Sequence, residues 1–191
     1  RTRPNNSSGT KVHIHVNQTI GSEKTRVEHC ALRTGSWDSS TTLQVDVGGS
    51  GRIGGAGGDG GRGSDGPGAA IEGGSGTSGL GIEYSPTTVN VLSGGVITAG
   101  FGGGGGGGGA YDTDKEATRT SSGGGGGGGA GIPAGAAGGG GINAGLNGFD
   151  GNAGTVSEGG AGGAGRDNDG EAVSGAAVSY THLRAHETSE Y

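Results

Sequence analysis

A chain of 191 residues with 55 glycines, 4 prolines, one cysteine and a net charge of −6 excludes several classes at once. Proline scarcity speaks against a collagen triple helix, and the lack of a basic block speaks against a nucleic-acid partner. Cys30 alone allows no intrachain disulfide, and Leu, Ile, Val and Phe make up about 14% of the chain, too little for an ordinary packed core.

Residues 1–10 are polar and read as a lead-in, and the opening at Arg1 reads as the start of an internal fragment. Val12, Ile14 and Val16 alternate with His13, His15 and Asn17, which predicts a half-buried strand. Gly21 to Thr25 and Thr34-Gly35-Ser36 read as turns, Val27 to Leu32 is ambiguous between strand and one helical turn, and Trp37 is the expected anchor of a small core. Leu43, Val45 and Val47 predict a second strand, so residues 1–50 are expected to form a small β-rich segment. Residues 51–170 then form a glycine-rich domain, broken by expected strands at Ile82 to Leu92 and Gly95 to Ala99, and 171–191 is a tail.

The glycines keep phase. Gly51, Gly54, Gly57, Gly60, Gly63 and Gly66 recur every third residue. Gly73, Gly76 and Gly79 follow, then Gly145, Gly148, Gly151 and Gly154, then Gly159, Gly162 and Gly165. A period of three belongs to the extended polyproline II type of helix, in which every third residue lies on one edge. That helix has no internal hydrogen bonds, so its N–H and C=O groups must find partners outside it. The consistent solution is a bundle of such helices bonded backbone to backbone. The glycine run 102–109, the polar excursion 110–122 and the run 123–129 predict two antiparallel rods joined by an exposed loop. The expected class is therefore mainly irregular/β, a sandwich of packed polyglycine II helices with short strands and little or no α-helix.

The stretches GRIGGAGGDGGRGSDGPGAAI (51–71) and VNVLSGGVITAGFGGGGGGGGA (89–110) resemble the receptor-recognising adhesins at the tail-fibre tips of T-even-type phages. The resemblance covers residues 45–165; residues 1–50 read instead as a strand-rich segment of a phage tail or tip protein. It implies a polyglycine II sandwich on the virion, joined to a trimeric fibre, whose variable loops contact a bacterial outer-membrane protein. Carried onto this chain, those loops are Glu83-Tyr84-Ser85-Pro86, Tyr111 through Arg119, and Leu146 through Asp150. Tyr84, Tyr111, Asn147 and Phe149 then become candidate receptor contacts, with Asp112, Asp114, Lys115 and Arg119 as rim charges. Tyr84 has a strand-packing role as its equal alternative.

Other chemistry is sparse. No G-x-G-x-x-G follows a strand and opens a helix, and no lysine completes a phosphate loop, so nucleotide binding is rejected. His13 and His15 share a strand face, with His29 or Cys30 as possible completions, but an isolated H-x-H reads as a solvated face. GGAGRD with Asp169 imitates a calcium nonapeptide once, without its repeat. No catalytic set, cofactor, metal or membrane span is expected. Residues 178–188, VSYTHLRAHET, resemble the translation of a sequencing adapter, and 178–191 is read as non-native.

The expected function is a non-enzymatic phage tail-fibre or tail-tip adhesin. Its partners are a host outer-membrane protein or surface glycan and a tail protein. The rival is a glycine-rich spacer, of which GGAGGAG, similar to the mycobacterial PE–PGRS proteins, is the sign. Ice binding, on a fold like that of glycine-rich springtail antifreeze proteins, is opposed by the charged excursions.

Overall fold

The computed structural model describes residues 9–66, 68–109, 111–112, 119–143, 146–167 and 171–173. Among them there is no helix, and no segment is built to cross a membrane as one. Eight strands wind a three-coil parallel solenoid. The first coil holds β1 (Lys11–Val16), β2 (Thr19–Gly21) and β3 (Cys30–Arg33), and the second holds β4 (Thr42–Val47), β5 (Arg52–Gly54) and β6 (Ser78–Gly81). The third holds β7 (Thr87–Val91) and β8 (Val96–Thr98). Stacking the coils gives three parallel sheets, β1-β4-β7, β2-β5-β8 and β3-β6. All three join strands from both sides of residue 50.

Alternation decides which way each strand faces. The register stacks Val12 on Leu43, Ile14 on Val45 and Val16 on Val47, and continues Val45 onto Val89 and Val47 onto Val91. Leu43, Val45, Val47 and Ile53 are fully buried, each contributing about 1.5–3 kcal/mol of hydrophobic stabilisation. The core lies between the sheets, where Ile14, Ile20, Leu32 and Ile97 pack around Val16, Val47 and Ile53. Trp37 is not its anchor. The narrow interior takes aliphatic side chains, and Trp37 stays half-buried, its Nε1 donating to Thr34 O at 2.6 Å.

The solenoid opens into seven glycine rods. Rod 1 (55–66) leaves β5 and rod 2 (71–77) returns to β6; rod 3 (99–109) leaves β8, and rods 4 (122–131), 5 (133–142), 6 (148–155) and 7 (158–166) follow. Hydrogen bonds recur every third residue, as a three-residue helix requires. Gly55, Gly58 and Gly61 donate to Thr98, Phe101 and Gly104, so rods 1 and 3 run parallel. Phe101, Gly104 and Gly107 donate to Ala130, Gly127 and Gly124, so rods 3 and 4 run antiparallel, as the sequence led us to expect. Rod 4 also bonds to rods 1, 5, 6 and 7 and is the hub. Residues 122–131 are all buried.

Why glycine, and where, follows from those contacts. Among the described residues positive φ occurs at Gly9, Gly35, Gly66 and Gly94, all outside or at the end of rods. The rods need glycine for space. A Cβ on Gly57, Gly60 or Gly63 would stand 2.1–2.2 Å from a carbonyl oxygen of rod 4. A Cβ on Gly58 or Gly61 would stand 1.9 Å from one of rod 2. The third phase of rod 1 carries Ala56, Asp59, Arg62 and Asp65. In rod 7 the close phase is Gly160 and Gly163, while a Cβ at Gly159 would meet ordinary contact at 3.6 Å.

Polar side chains tie the parts together. Asp59 Oδ1 accepts from Lys24 Nζ at 2.8 Å and from Ala136 N at 2.7 Å, joining the solenoid to rods 1 and 5. Lys24 first, then the Ala136 N–H, holds the Asp59 carboxyl below its ordinary 3.8. The Ile142 N–H first, then Arg62, does the same for Asp65. A carboxyl lowered in the folded state adds stability that is present above the unfolded value and fades as pH falls below it. We expect a thermal midpoint that is flat above about pH 5 and falls below about pH 4. Asp59→Asn should flatten that fall, measured by melting across pH; an equally steep fall would mean that Asp59 does not contribute to it.

Candidate functional site

The rods alternate in direction, so parity assigns each turn to an end. The far end, away from the solenoid, receives the turns 66–71, 109–122 and 142–148, and the end of rod 7. The near end receives 131–133 and 155–158.

Ser122 pins the far end. It is 2% exposed; its Oγ donates to Leu146 O at 2.7 Å, its N–H donates to Arg166 O, and its carbonyl accepts from Arg166 N. Around it stand β9 (Tyr111–Asp112) and β10 (Arg119–Thr120), paired antiparallel with Asp112 opposite Arg119 and Tyr111 opposite Thr120. The described parts of the excursion read from sequence thus pair with each other where rods 3 and 4 end. Asp114 and Lys115 lie outside the described residues. A further short pair, β11 (Gly165–Arg166) with β12 (Ala172–Val173), extends rod 7 beside it.

Asn147 and Phe149 are exposed at the start of rod 6, on the same end. The Phe149 backbone is fixed on both sides, donating to Ala164 O and accepting from Gly125 N. Its ring, 43% exposed, lies under the Arg166 guanidinium, whose Cζ is 4.7 Å from the ring centroid. Such a cation–π contact at an exposed site adds about 0.5–1 kcal/mol and holds the ring in one pose. Ile142 adds apolar surface at 60% exposure, and Asp65 Oδ1 accepts from its N–H at 2.6 Å and from Arg62 Nη2 at 2.5 Å. The sequence gives no sign of Arg166 or Ile142 because neither stands in an excursion; their places follow from rod parity.

Tyr84 belongs elsewhere. It is buried at the β6–β7 corner of the solenoid, its hydroxyl 2.8 Å from Asp38 O and 2.7 Å from Thr41 O. One proton serves one carbonyl at a time, so the hydroxyl bridges the two as an alternating donor. Glu83 beside it pairs with Arg33. Tyr84→Phe removes the hydroxyl donor from the Thr41 carbonyl, whereas Asp38 O keeps the Thr41 N–H at 2.9 Å, and should cost about 1–2 kcal/mol in urea unfolding. Binding by the far end should be unaffected, and a variant as stable as the parent would contradict the packing role.

A glycine bundle with its longest turns at one end has the build of an adhesin. The phage tail fibre adhesin Gp38 family model matches residues 1–187, and the chain belongs to that family. It is a T-even-type tail-fibre adhesin, located in the tail fibre of the virion. The match takes in residues 1–50, which the glycine motifs alone set apart from the family pattern. No curated protein and no solved structure matches the chain.

Proposed function

We propose that the far end of the bundle binds a host bacterial surface receptor, an outer-membrane protein or a surface glycan, without catalysis. The observation that carries this reading is the parity of the rods. It brings the β9–β10 pair, Asn147 and Phe149 to one end, fixed through Ser122 to the buried hub. A rigid platform lowers the ordering cost of binding. Tyr111 and Phe149 supply contact area, and Asp112, Asp114, Lys115 and Arg119 supply rim charge and steering.

The solenoid supplies the opposite pole. Among the described residues β1, β2 and β3, like β6, β7 and β8 on the other side of the stack, each have a single hydrogen-bonded neighbour, which leaves the parallel edge of the first coil open. Strand addition at that edge is the mode by which a tail-fibre or tail-tip protein would join.

Exchanging residues 110–120, and separately 143–150, for those of an adhesin with another host range tests the receptor reading. Adsorption should follow the donor loops. Unchanged adsorption for both exchanges would leave a spacer role in its place.

A further inference from the structure

The outer face of the β1-β4-β7 sheet carries a cluster that receptor display does not use. His13 and His15 stand two apart on β1, so the pleat points both to the same side, with ring centroids 3.8 Å apart. The register sets His15 opposite Asp46 of β4 and Asp46 opposite Asn90 of β7. Asp46 Oδ2 lies 2.5 Å from His13 Nε2 and 3.9 Å from His15 Nδ1. Its other oxygen, Oδ1, accepts from Gln44 Nε2 and Asn90 Nδ2, both at 2.8 Å. The two amides occupy one carboxylate oxygen and aim the other at both imidazoles. Outer-shell hydrogen bonds orient metal-ligating carboxylates in this way.

We propose that His13, His15 and Asp46 bind one divalent transition-metal ion of the zinc type. Two imidazole nitrogens and one carboxylate oxygen suit zinc and its borderline neighbours; calcium and magnesium require oxygen shells. Zinc bonds of about 2.0–2.2 Å place tetrahedral ligand atoms about 3.4 Å apart. Here the three atoms already lie within 4.8 Å of one another. His13 has to back away and His15 to close by about an ångström or less, which side-chain rotation provides. The histidine side chains are 43% and 56% exposed and that of Asp46 17%, so a fourth position faces solvent and is open to water or to a donor from another molecule. A plain His13–Asp46 ion pair would account for the shorter contact alone. It gives no role to His15 beside the same oxygen, or to the paired amides behind it.

The test uses the full chain without an affinity tag, stripped with chelator and titrated with Zn²⁺ by calorimetry and with Co²⁺ by visible absorption. One ion should bind per chain. His13→Ala or His15→Ala should weaken binding at least tenfold, and Asn90→Ala, which touches no metal, about 10–100-fold. The pair His182→Ala/His186→Ala and the variant Cys30→Ser should bind as the parent does. In the unmutated chain, Zn²⁺ should shift the imidazole resonances of His13 and His15 and leave those of His29 in place, a reading that needs no variant to fold. Absence of stoichiometric binding would overturn the site, as would binding that survives loss of both His13 and His15.

Discussion

Gly126→Ala should abolish the folded bundle, whereas Gly105→Ala should leave it folded and slightly more stable. Both positions lie inside long glycine runs, and neither has positive φ, so backbone freedom does not separate them. Space does. A Cβ on Gly126 would stand 2.0 Å from the carbonyl oxygen of Gly104 and 2.8 Å from that of Gly105. Those oxygens belong to rod 3, whose backbone is itself bonded into the lattice, so no flexible side chain can yield. Gly125 and Gly127, on either side, face rods 5 and 7 at 1.9 Å, so rod 4 cannot escape by rotating. Overpacking a rigid interior costs about 1–3 kcal/mol where neighbours relax, and a hub with contacts on every side should exceed that range. A Cβ on Gly105 would have nothing within 4 Å. Alanine there removes unfolded-state entropy at no steric cost, worth about 0.4–1 kcal/mol. Thermal melts of the two variants decide the point. Equal destabilisation would mean that glycine serves the rods through backbone freedom and not through lateral contact.

The same comparison shows what was legible in the sequence. Phase was legible: Gly57, Gly60 and Gly63 mark the edge of rod 1 that touches rod 4, and Gly58 and Gly61 mark the side that touches rod 2, while Gly51 and Gly54 hold the same phase through the solenoid before it. The hub was not legible, because the longer run, 102–109, belongs to a rod with open positions at Gly105 and Gly108. Glycine at an open position leaves the same letter as glycine at a closed one. The antiparallel course of rods 3 and 4 was legible, but the course of rods 1 and 2 was hidden for a different reason. Inserting rods 1 and 2 between β5 and β6 of one coil requires the solenoid, and the pairing of residues 11–16 with 42–47 and 87–91 is long-range. The His13–Asp46 contact has the same origin, since only the register of β1 on β4 brings the two together. Trp37 misled because size suggested an anchor, while the interior admits aliphatic side chains stacked coil on coil.

Phe149→Ala should lower adsorption about 30-fold or more while leaving the melting temperature nearly unchanged. The backbone of Phe149 makes the lattice hydrogen bonds, and these survive truncation of the side chain. What disappears is an exposed ring held by Arg166, the kind of fixed aromatic whose loss costs about 2 kcal/mol or more at a binding surface, equivalent to about 30-fold. Arg166→Ala should give a smaller loss, because the ring remains but is no longer held at 4.7 Å under the guanidinium. The double variant should then lose less than the sum of the two, since both changes act on one contact. Val156 supplies the control. It is 50% exposed in the near-end turn between rods 6 and 7, comparable in exposure to Phe149 and at the opposite end of the same rod. Val156→Ser should leave adsorption unchanged. If Val156→Ser lowers adsorption and Phe149→Ala does not, the receptor meets the solenoid side of the bundle and the proposed polarity is reversed.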